Sequence, residues 1–193
     1  MIPVFVVLAA CHSVVLPQSA DEVIEKYLAA VGGREAIEKL HNRSMKATFS
    51  MPEMGVVSEI TFDVQPPDKT YSELDVPGFG MVTSGLNGDV AWQINPMIGA
   101  RILSGSEKEA AVRQASMELL ADWKRFFSEA ELAGEEVVGG KNCRKVKFTS
   151  HSGGPVTLFF DQETGLMTRA VDSREGQVFI TDFSDYREAD GIK

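Results

Sequence analysis

The chain has 193 residues, 44% of them hydrophobic, which is one domain of ordinary size with enough apolar content for a real core. A formal net charge of -9 argues against nucleic acid or an anionic membrane surface as a partner, because both attract Lys and Arg and repel carboxylates. The charges are interspersed rather than gathered into an acidic tail, as on a solvated surface.

Residues 1–20 contain no Asp, Glu, Lys or Arg, and their apolar run from Val4 to Ala10 is too short to span a bilayer as a helix. They read as an export leader, with the folded domain expected over residues 21–193. Leu8-Ala9-Ala10-Cys11 has the form of a bacterial lipobox, in which Cys11 is lipidated and becomes the mature N-terminus. The missing cation before the apolar run counts against it. Ordinary cleavage after Ala20 is the competing reading, with Gln18 standing where a small residue is preferred, and an incidental Cys in a misassigned start is the third.

Ser19-Ala20-Asp21-Glu22 is a capping box, and Val23, Ile24, Tyr27, Leu28 and Val31 form one apolar side of the helix it opens. Gly32-Gly33 ends that helix, and a shorter one carries Ala36, Ile37 and Leu40. Strand alternation follows. Met45, Ala47, Phe49 and Met51 alternate with polar residues, as do Val56, Ser58, Ile60, Phe62 and Val64, and further on Val90, Trp92 and Ile94 are assigned to the apolar face. Turn chemistry at Pro52-Glu53-Met54-Gly55, Pro66-Pro67-Asp68, Pro77-Gly78-Phe79-Gly80 and Asn87-Gly88 separates these runs, so neighbours in sequence pair antiparallel in a meander. One amphipathic helix is expected from about Ser106 to Phe127, opened by a second capping box at Ser106–Glu109 and striped with Val112, Ala115, Leu119, Leu120, Trp123, Phe126 and Phe127. Strands resume at Val156, Leu158 and Phe160 and at Val178 and Ile180. Two helical regions against about ten short strands define an α+β layer arrangement.

No catalytic or metal constellation emerges. His41 and His151 lie far apart with no HxxxH, CxxC or HExxH spacing, and nothing marks one carboxylate pair among many. Ser152-Gly153-Gly154 lacks the strand-to-helix context of a nucleophile elbow, and Gly78-Phe79-Gly80 has no following helix to cradle a phosphate. Cys143 reads as a small core residue. No catalytic residue, metal or cofactor is therefore assigned.

The segments Ala20–Ala36, Val76–Gly80, Asn87–Trp92, Asp161–Leu166 and Asp185–Lys193 resemble LolA-like bacterial proteins, often described as outer-membrane lipoprotein-sorting proteins. The resemblance covers essentially everything after residue 20 and is closest to a poorly characterised exported subgroup. It implies a half-open antiparallel β-barrel of about ten to eleven strands, with helices covering a concave face that holds lipid or lipoprotein acyl chains. It further implies a monomer of the periplasm or outer membrane. On that basis Phe49, Ile60, Phe62, Met81, Trp92, Ile94, Leu120, Trp123 and Phe160 are the expected cavity lining. Phe79 is a loop aromatic comparable to the exposed apolar residue of LolB-type receptors, with packing onto the sheet edge as its alternative. The arginine that helps close the LolA lid has Arg43 and Arg101 as candidates here, neither in a matching motif. Family members continue past Asp190-Gly191-Ile192-Lys193, so terminal strands are expected to be missing. A non-catalytic interaction domain with a filled core is the competing reading, and a hydrolase would need His41 or His151 to meet carboxylates in a cleft.

Overall fold

Two antiparallel meanders with helices packed on their faces make up the fold in a computed structural model that describes residues 19–117, 119–151, 154–174, 176–189 and 191–193. The leader with Cys11 lies outside those residues, as do Ser152 and Gly153. Helix α1 (Ala20–Ala30) opens with the capping box: the Ser19 side chain accepts from the Glu22 N–H, and the Glu22 carboxylate accepts from the Ser19 N–H at 2.9 Å. Gly32, at φ 118°, then turns the chain toward α2 (Arg34–Glu38). A Cβ there would lie 2.2 Å from the Gly191 carbonyl oxygen, because the C-terminal segment crosses at this point and the Lys193 N–H donates to the Val31 carbonyl.

The first sheet runs in sequence order through β1 (Arg43–Met51), β2 (Val56–Gln65), β3 (Lys69–Val76), β4 (Gly80–Asn87), β5 (Val90–Asn95) and β6 (Gly99–Ile102). After α3 (Gly105–Ala115) comes the second: β7 (Phe127–Val138), β8 (Lys141–Ser150), β9 (Val156–Asp161), β10 (Met167–Arg174) and β11 (Gln177–Asp182). The eleven strands found among the described residues thus form two sheets of six and five and close no barrel. The meander expected from the turn chemistry is divided into two sheets because the chain leaves the first at Ile102 and crosses as helix and loop before re-entering at Phe127.

Helix α3 is half the length expected. It stops at Ala115, where Ser116 turns extended at φ -78° and ψ 122°. The apolar residues beyond it serve another purpose: Leu120, Phe126 and Phe127 are buried against the second sheet, around a 3-10 turn at Trp123–Arg125. The N-cap is Ser104 and makes no side-chain capping bond, so the box expected at Ser106 does not open this helix.

The main core lies between α1 and the second sheet. Val23, Ile24 and Leu28 pack with Val146, Phe148, Leu158 and Phe160, and the ring pairs Tyr27–Phe160 and Phe127–Phe148 stand 5.4 and 4.8 Å apart. A smaller cluster of Leu86, Ala91, Leu103 and Ala115 fixes α3 to the first sheet, and Val112 packs against both clusters. Close approach of α3 sets the parity of β5. Ala91 is the fully buried residue, whereas Val90 and Ile94 are 48% and 49% exposed, reversing the face assigned from the sequence. Trp92 consequently sits on the far side, where its ring covers Gly85 so closely that a Cβ there would lie 2.8 Å from Cζ2, and it pairs with Tyr71 at 6.2 Å.

The Asp161–Leu166 motif is structural. Asp161 accepts from the Glu163 N–H and the Thr164 hydroxyl, both at 2.9 Å, and Gly165 lets the turn lie against Lys26 of α1. Cys143 is a buried thiol 3.2 Å from the Thr168 hydroxyl.

Because Phe148 is fully buried between Trp123 and Phe127, Phe148→Ala is expected to cost about 3–5 kcal/mol. Urea unfolding followed by circular dichroism measures this.

Candidate functional site

Register divides the nine expected lining residues into three groups. Phe49, Ile60 and Phe62 share the inner face of the first sheet: Phe49 pairs with Ser58, Ala47 with Ile60 and Met45 with Phe62, on the side that carries the buried Val64, Ser72 and Leu86. Met81, Trp92 and Ile94 occupy the opposite face, where Trp92 pairs with Gly85 and Ile94 with Thr83. Leu120, Trp123 and Phe160 belong to the core between α1 and the second sheet.

That second half is filled. Beside Phe160, between α1 and the Asp161 turn, only about 20 Å³ of space remains. The first half is not. Helix α3 covers its inner face at Leu86, Ala91 and Leu103, but at the β1 side Met45 is 40% exposed, Ala47 is exposed, and Phe49, Met51, Ile60, Phe62, Leu74 and Val82 are only half-buried. A largely apolar floor, interrupted by Ser58 and Ser72 and with few covering atoms, is the arrangement that a flexible apolar chain can complete.

The meander also sorts its turns by chemistry. The β1–β2, β3–β4 and β5–β6 turns fall at one end of the sheet and expose Met54, Phe79, Met97 and Ile98, with Phe79 at 40% and Met97 at 69%. Gly80 brings two of these tips together, since a Cβ on it would lie 3.3 Å from Pro96 Cγ. The other end carries Pro66-Pro67-Asp68 and Asn87-Gly88-Asp89. Sequence reading singled out Phe79 as the loop contact; the apolar character of Met54 and of Pro96-Met97-Ile98 was visible, but their shared end depends on strand order.

Charged groups tie α3 in place. The Arg101 guanidinium donates to both Glu107 carboxylate oxygens, at 2.6 and 2.8 Å, and to Gln93 at 3.0 and 3.1 Å, which holds the first turn of α3 to β5 and β6. Buried Arg113 lies 3.8 Å from Glu109 and 3.9 Å from Asp172 of β10, with its guanidinium 5.6 Å from the centre of the Phe127 ring. Arg43 sits instead near Tyr27 of α1, with its Nε buried; burial draws its pKa below the usual guanidinium value, and the field of Tyr27 acts the other way.

A cleft of about 400 Å³ opens between α3 and the segment that enters β7. It is lined by Lys108, Glu109, Val112 and Arg113 on one side and Arg125, Phe126 and His151 on the other. Sequence gives no sign of it, because Lys108, Arg125 and His151 are far apart in the chain and belong to no motif. His41 is exposed. Among the described residues no three His, Cys, Asp or Glu side chains gather where they could hold a metal ion.

No protein-family model matches the sequence, and no curated protein does. Solved structures do match. A DUF1329 family protein from Desulfovibrio piger aligns over 90% of this chain and 80% of its own at 14% identity, with a TM-score of 0.52. A LolA superfamily protein from Nitrosomonas europaea aligns over 89% and 80% at 13% identity, with a TM-score of 0.50. The fold is therefore LolA-like.

Burial raises the pKa of Tyr27 above its ordinary value, against the opposing pull of Arg43. Burial also raises that of Tyr186, whose hydroxyl donates to the Met167 carbonyl at 2.9 Å, and Tyr27 adds to the shift. Both groups favour the neutral phenol in the folded state. Their contribution is complete below the unfolded-state value of about 10 and is lost as pH rises through the higher folded values. Urea midpoints should fall on going above about pH 10, and Tyr27→Phe with Tyr186→Phe should flatten that fall.

Proposed function

We propose that this protein is a non-enzymatic carrier or receptor of the bacterial envelope that holds the acyl chains of a lipid or lipoprotein against the inner face of the six-stranded sheet. In this reading the two sheets act together as an open half-barrel, with α3 as its partial cover. The observation that carries it is the contrast between the two halves: one inner face is filled by α1, whereas the other leaves Met45, Phe49, Ile60 and Phe62 incompletely covered. Each methylene laid on such a floor is worth about 0.8 kcal/mol, so a chain segment of modest length offsets the cost of ordering it. The LolA-like fold and the resemblance of the segments Ala20–Ala36, Val76–Gly80, Asn87–Trp92, Asp161–Leu166 and Asp185–Lys193 support the same reading.

The rim of Met54, Phe79, Met97 and Ile98 supplies the entry, since these tips can dip into a lipid surface beside the inner face. With a chain this acidic, the contact rests on apolar side chains rather than on attraction to anionic lipid. Lipidation at Cys11 would anchor the protein to a membrane, and cleavage after Ala20 would release it to the periplasm as a monomer. One observation favours a second reading. The near absence of space beside Phe160 suits an interaction domain with a filled core.

A fluorescent acyl probe separates the two. Phe49→Asp with Phe62→Asp should weaken saturable binding by about tenfold or more, while Ile94→Asp on the opposite face leaves it unchanged. Absence of saturable binding by the parent protein would favour the filled-core reading. Phe79→Ser with Met97→Ser should preserve folding and probe affinity but slow transfer of the probe out of vesicles. An unchanged transfer rate would remove the rim from the mechanism.

A further inference from the structure

The cleft between α3 and the start of β7 differs in charge from the rest of the molecule. In a chain of net charge -9 its walls carry Lys108, Arg113 and Arg125 against one carboxylate, Glu109, with the His151 imidazole beside them. Glu109 and Arg113 face each other at 3.8 Å, and Arg113 also approaches Asp172 at 3.9 Å, so that pair is engaged within the fold. Lys108 and Arg125 have no carboxylate within ion-pair distance among the described residues. The Arg125 guanidinium lies 5.3 Å from the centre of the Phe126 ring, an arrangement that leaves its N–H groups available at the rim. Val112 and Phe126 supply the apolar part of the walls. Val112 also packs against both apolar clusters, so the cleft adjoins the region where α3 meets the first sheet. At about 400 Å³ the space is within the range of small-molecule sites.

We infer that this cleft recognises the anionic head group, carboxylate or phosphate monoester, of an amphiphile whose acyl tail lies on the apolar floor. Lys108 and Arg125 contribute charge-assisted hydrogen bonds from opposite walls, and Val112 and Phe126 contact the first carbons of the tail. The inference rests on the acyl-chain reading and adds a ligand class to it: single-headed anionic amphiphiles are preferred over neutral ones of equal chain length. The overall negative field of the protein opposes anions elsewhere on its surface, so the preference is local to this site.

The test compares lauroyl lysophosphatidate, laurate and neutral monolaurin by isothermal titration below their micelle concentrations, with inorganic phosphate as a fourth ligand. Both anions should bind about tenfold more tightly than monolaurin at low salt. Lys108→Gln with Arg125→Gln should bring their affinities down to that of monolaurin and leave monolaurin itself unchanged, while Lys124→Gln, outside the cleft, alters neither. Binding of all three amphiphiles with equal affinity would overturn the head-group inference and leave the acyl-chain reading standing. Failure of all three to bind would overturn both. A preference that survives the double substitution would place head-group recognition elsewhere. Displacement by inorganic phosphate as effective as by lysophosphatidate would make the cleft a free-anion site rather than a head-group site.

Discussion

One eleven-residue helix has to serve two sheets at once, and the rest of the architecture adjusts to that. Helix α3 turns small side chains, Ala111 and Ala115, toward the first sheet, and Val112 touches the cores of both. Small residues permit close approach, which is why the buried residue of β5 is Ala91 and the large Trp92 is left on the other face. The polar ties have the same geometry: Arg101 clasps the helix to β5 and β6, and Arg113 reaches across toward β10. A guanidinium as buried as Arg113 would be costly alone, and its place between two carboxylates and the Phe127 ring offsets that cost.

From this follows the unequal fate of the two inner faces. Helix α1 lies along the second sheet with a full apolar side and is joined by Leu120, Phe126 and Phe127, so aromatic rings fill that space. Helix α3 is mostly polar and meets the first sheet only around Leu86, Ala91 and Leu103, which leaves the β1 side short of covering atoms. The domain thus contains a filled half and an incompletely covered half. A stable core beside an open apolar face suits a protein that binds and releases apolar chains, because the cost of leaving that face open is borne by the filled half.

Much of this was legible in the sequence. The Ser19–Glu22 capping box formed as expected, since its signal is local. The alternation from Val56 to Val64 gave the correct inner face because, apart from Val57, the other parity there is polar. At β5 the alternation points the wrong way: Val90, Trp92 and Ile94 are the more apolar parity, yet Ala91 and Gln93 face inward, because the choice fell to the distance of α3, a tertiary quantity that periodicity does not carry. The stripe from Val112 to Phe127 belonged to two different elements, because a helical period and a loop that covers a sheet both need apolar residues at close spacing. Of the lining residues expected, Phe49, Ile60 and Phe62 lie together, and the separation of the other six into a core and an outer face depended on register. The cationic cleft left no trace in the sequence, since its walls come from three distant segments.

Methionines give the most direct test, because Met45 and Met51 lie on the open inner face and Met167 lies against the filled core. With the methionine methyl groups labelled with carbon-13 and a saturating acyl ligand, nuclear Overhauser contacts from the ligand chain should appear at Met45 and Met51 and be absent at Met167. Contacts at Met167 with Met45 and Met51 undisturbed would place the chain in the half described here as full and contradict the account.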